Sequence, residues 1–144
     1  MTNKVEVKRN ESTTGTFKIE IIGGLTRFDH DQISFDKNNQ RIQIFAYEGA
    51  TGGTMRPRKR LTFEFAPGTP TGHYDVKNIL EASLVDYSDM HSFKYIPESG
   101  WISIVFHESP QRAYGLFTMK MKNIGEPHGP ANIEVFGNFD LINQ

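Results

Sequence analysis

The sequence predicts an all-β domain. Three observations lead there. Ile, Val, Phe, Tyr, Trp and Thr supply 47 of 144 residues, against 12 Ala and Leu. Branched and aromatic side chains fit a pleated, half-buried surface and lose rotamer freedom in a helix. Apolar residues recur at every second position, the period of a strand with one face buried. Thirteen Gly and seven Pro fall in clusters that favour bends between those runs.

The runs follow in order. Phe17, Ile19 and Ile21 alternate with Lys18 and Glu20. Ile42 and Ile44 flank Gln43; Leu61, Phe63 and Phe65 enclose Thr62 and Glu64. Leu80, Ala82 and Leu84 alternate with Glu81 and Ser83, although Asp75 to Leu84 has room for one helical turn. Ile102, Ile104 and Phe106 form the next set. The segments from Tyr114 to Lys122 and from Asn132 to Leu141 flank a Gly/Pro-rich connection and should pair as a long hairpin. Gly115 and Gly137 inside these last runs mark places where a sheet bends. Eight or nine strands in one domain spanning residues 1–144 are expected. The architecture expected is an antiparallel β-sandwich of jelly-roll-like or Greek-key type. An up-and-down β-barrel with an interior pocket is the alternative.

Composition bounds the function classes. Charged residues are 23% of the chain and the net charge is −1, so neither nucleic acid nor membrane is an expected partner. There is no cysteine, which excludes disulfides, thiolate metal sites and a cysteine nucleophile. The N-terminal stretch from Met1 to Arg9 lacks the apolar core of a secretory signal, and no run reaches the ~18 apolar residues of a transmembrane helix, so a cytoplasmic location is expected.

Motifs for chemistry are sparse. His30, His73, His91, His107 and His128 include no His-x-His or i, i+4 pair, and Asp29-His30-Asp31 offers three ligand types in a row but no assembled site. No metal or other cofactor is expected. The chain has no Gly-x-Ser-x-Gly, and Glu108 and Asp140 are two of seventeen carboxylates available to an acid–base pair. The stretch Gly49-Ala50-Thr51-Gly52-Gly53-Thr54 runs into Pro57 rather than a Lys-Ser/Thr at a helix start, so it reads as a connecting loop. The run Arg56-Pro57-Arg58-Lys59-Arg60 reads as a solvated loop leading into a strand.

Strand parity is more informative. If Ile42 and Ile44 face inward, Phe45 and Tyr47 face the other way. Trp101 and Val105 likewise oppose Ile102 and Ile104, Leu116 opposes Phe117 and Phe136 opposes Val135. Such residues are expected where a strand is covered on both faces by the protein's own loops or second sheet, where a subunit interface is buried, or where an apolar or sugar-stacking site forms. The expected function is a non-enzymatic binding or interaction module. Trp101, Phe45 and Tyr47 would stack on a carbohydrate or small apolar ligand, and Arg56 would orient it. A self-associating structural protein, a homodimer hiding the same residues, is one alternative. A small hydrolase or isomerase with carboxylates and a His at a barrel mouth is another.

Overall fold

The computed structural model describes residues 12–25, 27–49, 58–87, 92–125, 127 and 129–144. Its strands are β1 (Thr13–Ile22), β2 (Gln32–Lys37), β3 (Ile42–Glu48), β4 (Lys59–Phe65), β5 (Gly72–Asp75), β6 (Glu81–Asp86), β7 (Phe93–Glu108), β8 (Gln111–Asn123) and β9 (Asn132–Asn143). The segment after Asp75 forms turns rather than a helical turn. Among the described residues no helix is long and apolar enough to cross a membrane.

All strands form one antiparallel sheet in the order β1-β9-β8-β7-β6-β4-β3-β2, with β5 paired to β7. Apart from β5, each strand neighbours its successor in sequence, and β1 lies between β9 and β2. This is an up-and-down sheet nearly closed into a barrel, so of the two architectures the alternative is the one formed. A jelly roll or Greek key would need a strand returning across others, and among the described residues none does. The predicted terminal hairpin is present as β8–β9, from Arg112↔Ile142 to Lys122↔Asn132.

Side chains rather than a ladder close the seam between β1 and β2. The Phe35 N–H donates to Thr13 Oγ1 at 3.0 Å. Asn143 Nδ2 donates to the Phe35 carbonyl at 3.0 Å, and Gln111 Nε2 to the Lys37 carbonyl at 3.0 Å. Asn143 Nδ2 also meets Gln111 Oε1 at 2.6 Å, so one connected network serves the edge of β2. Unpaired strand edges are a liability, and polar side chains here replace the missing strand partner.

The inward residues fill the barrel. Phe17 lies 5.3 Å from Phe139, and Phe63 meets Phe117 edge-on at 5.0 Å. Phe65 contacts both Tyr74 and Phe106. Each fully buried ring of this kind stabilises the fold by roughly 1.5–3 kcal/mol. These rings share one hydrophobic core with Ile42, Ile44, Leu61 and Leu84.

Two glycines allow the tight curvature that closure needs. Gly137 sits between Ile19 and Phe117, and Gly115 between Ile104 and Phe139. A Cβ at Gly137 would lie 1.8 Å from the Lys18 carbonyl oxygen, and one at Gly115 2.1 Å from that of Ser103. Both are inward positions left empty so that neighbouring phenyl rings and backbones close together, as their placement inside strand patterns predicts.

Strand β7 serves two walls. Phe93 and Tyr95 point inward, and so do Ile102 and Ile104. The odd-to-even switch comes from a bulge: Pro97 pairs with Met121, but Ser99 pairs with Lys120. One extra residue on a strand exchanges its faces. Before the bulge β7 pairs with β6; after it, β7 pairs with β5.

Candidate functional site

The outer face of β2, β3 and β4 carries a graded set of rows. Strand register places Gln32, Tyr47 and Arg60 side by side. The next row is Ser34, Phe45 and Thr62, followed by Asp36, Gln43 and Glu64. β6 extends these rows with Val85, Ser83 and Glu81. The rings of Phe45 and Tyr47 stack with centroids 5.5 Å apart and planes 15° apart. Both are half-buried, so the sheet face bears an apolar ridge flanked by small hydroxyls and amides.

That ridge is surrounded by unmet hydrogen-bonding capacity. Among the described residues, four buried side-chain atoms lack a partner: Gln32 Oε1, Gln43 Oε1, Arg60 Nε and Thr62 Oγ1. All four belong to this one face. Thr62 is 2% exposed and stands directly across from Phe45. A buried polar atom left unpaired costs about 1–3 kcal/mol, and native structures keep few of them. Gln43 uses its amide nitrogen on Glu64 Oε1 at 3.1 Å, which leaves its oxygen free for another donor.

The residues expected to bind together do not share a surface. Phe45 and Tyr47 stand together on β3. Trp101 stands on β7, with β4 and β6 between. Its neighbours in register are Asp75 and Thr118, with Phe136 one strand further. The His73 ring lies 5.1 Å from the Trp101 ring. With Leu116 at 52% and Phe136 at 39% exposed, this makes a second, separate apolar face. Arg56 lies outside the described residues, as do most of the Gly49 to Thr54 stretch, His91 and His128.

A third feature lies inside the barrel. Glu48, Lys59 and Asp86 are consecutive register partners on β3, β4 and β6, all pointing inward. Lys59 is 2% exposed, so the basic run is not solvated throughout; its third cation is the first inward residue of β4. Glu48 Oε1 accepts from Lys59 Nζ at 3.1 Å, and Glu48 Oε2 accepts from the Asp29 N–H at 2.7 Å. The charge row thereby anchors residues 27–31, whose Phe28 is buried at this end of the barrel. Tyr95 is also buried; its hydroxyl donates to the Pro130 carbonyl at 2.8 Å, and burial followed by the Asp86 charge pushes its pKa up to about 12.

The remaining sequence candidates disperse. Asp29 pairs with Arg27, Asp31 accepts from the Gly49 N–H, and His30 lies against Phe17 with its pKa lowered by burial. Among the described residues no three His, Asp or Glu side chains converge as a metal site. Glu108 pairs with Lys37, while Asp140 is held by Arg112, whose hydrogen bonds lower its pKa. His73 Nδ1 and Ser103 Oγ are 2.6 Å apart, within nucleophile–base reach. Ser103 stands on β7 between β5 and β8, and His73 on β5, whose one strand partner among the described residues is β7. Comparison with protein families, curated proteins and solved structures found no match for the chain.

Proposed function

We propose that this barrel is a non-enzymatic binding module whose ligand seats on the outer face of β2, β3 and β4. The observation that carries this reading is the set of four orphaned polar atoms around the Phe45–Tyr47 stack. Rings provide contact area at low entropic cost, and the unpaired groups provide orientation. Titrating the 15N-labelled chain with a panel of oligosaccharides and apolar amphiphiles tests it. Shift changes are expected at residues 32–36, 43–47 and 60–64, and Phe45→Ala should weaken binding at least tenfold. Changes confined to the surroundings of Trp101 would overturn the assignment.

The exposed Leu116 and Phe136 favour a second reading, self-association through the β7–β9 face. Sedimentation should then show a dimer that Leu116→Lys dissociates. A monomer at high protein concentration rules it out.

A further inference from the structure

The pattern of orphaned atoms specifies what kind of ligand fits, an inference that rests on the site reading above. Gln32 Oε1 and Gln43 Oε1 can only accept hydrogen bonds, Arg60 Nε can only donate, and Thr62 Oγ1 does either. An apolar ligand would bury all four still unpaired, which binding sites penalise heavily. An anion without an O–H or N–H group has no hydrogen to give the two glutamines. A cation has no lone pair for Arg60. A hydroxyl group donates and accepts at once, so a ligand rich in hydroxyls can satisfy all four.

Position adds length and charge. Gln43 and the Gln32–Arg60 row are four residues apart along the strands, about 13 Å at roughly 3.3 Å per residue. A single hexose ring does not bridge that distance, whereas a short chain of rings does. The Gln43 end is flanked by Asp36, Glu64 and Glu81, with Arg41 paired to Asp36 at 3.5 Å. Excess negative charge there opposes uronic or sulfated sugars. Gln32 and Arg60 are only half-buried, so their long side chains can turn toward a ligand, and Thr62 and Gln43, at 2% and 8% exposure, become reachable only as they do. The orphaned state of their inner atoms removes the usual hydrogen-bond cost of such a turn.

We infer that the face takes a neutral oligosaccharide laid along the strands, its rings against Phe45 and Tyr47 and its hydroxyls on Gln32, Gln43, Arg60 and Thr62. Thr62→Val is the decisive variant. It removes a buried hydroxyl that has no partner, so the fold should keep or gain stability while the ligand loses a contact. The full chain is applied to an array of neutral and acidic oligosaccharides of graded length and, separately, to the apolar dye anilinonaphthalene sulfonate.

Neutral chains should bind, more tightly as length increases from one ring to three, and Thr62→Val should weaken them about tenfold without lowering the melting temperature. Dye binding that depends on Phe45, with no sugar bound, would overturn the ligand class and leave the site standing. Preference for acidic chains would also overturn the class. Binding of neither probe, or sugar binding indifferent to Phe45→Ala, would overturn the site and the inference together.

Discussion

Lys59 is the residue whose environment departs furthest from its type. Its ammonium is enclosed at 2% exposure between carboxylates on both neighbouring strands. Taking an ion pair out of water costs several kcal/mol per ion, and mutual attraction with good hydrogen bonds offsets it. Removing one member leaves the other charged and buried. Lys59→Met is therefore expected to destabilise the protein by about 3–5 kcal/mol, with Glu48→Gln/Lys59→Met recovering part of that loss. Urea unfolding of the two singles and the double gives the coupling; additive losses would show that Glu48 and Lys59 do not depend on each other. The burial was legible in principle. Alternation from Ile42 through Ala46 reaches Glu48, alternation back from Leu61 reaches Lys59, and alternation from Ala82 reaches Asp86. A reading that stops at the last apolar residue of each run misses them, because the same period carries charge and hydrocarbon alike.

At the scale of the element, period-2 patterning placed most strands and their inward faces, including Ile102 and Ile104 against Trp101. It missed β2, where only Ile33 and Phe35 alternate, and β5, whose four residues contain no apolar alternation, and it carried no sign of strand order. Parity tells which side of a sheet a ring is on but not where around the cylinder. Parity alone therefore groups Phe45 with Trp101 as one surface, although β4 and β6 part them. The orphaned atoms were equally invisible, since satisfaction of a hydrogen bond depends on neighbours supplied by other strands. The seam gives an element-scale prediction. Thr13→Val deletes the acceptor of the Phe35 N–H, with an expected cost of about 1–3 kcal/mol. Hydrogen exchange should show Phe35 losing protection while the β8–β9 ladder keeps it; unchanged protection at Phe35 would show that the stitch does not hold the edge.

For the whole molecule, all-β character followed from composition, and closure followed from two glycines whose missing side chains let β1, β8 and β9 wrap. The pH response also belongs to this scale. Burial lowers the pKa of His30 below its usual 6.5. The unfolded chain then binds more protons than the native one as pH falls through the window below 6.5, so stability present near neutrality declines on acidification. Melting temperature should fall between about pH 7 and pH 5, with a shallower slope in His30→Gln. An identical slope in the variant would assign the effect to other groups. The two long walls of the barrel, finally, are joined through a single additional residue in β7, between Pro97 and Ser99. Losing that residue would leave an unbroken alternation with Tyr95, Pro97, Gly100, Ile102 and Ile104 still on the inward side, whereas gaining a second one, with no wider bulge to absorb it, would turn Ile102, Ile104 and Phe106 out to water and Trp101 in. The stretch from Lys94 to Trp101 is thus closed to single insertions, and insertions tolerated in this protein should accumulate at its turns instead, such as residues 38–41 and 66–71.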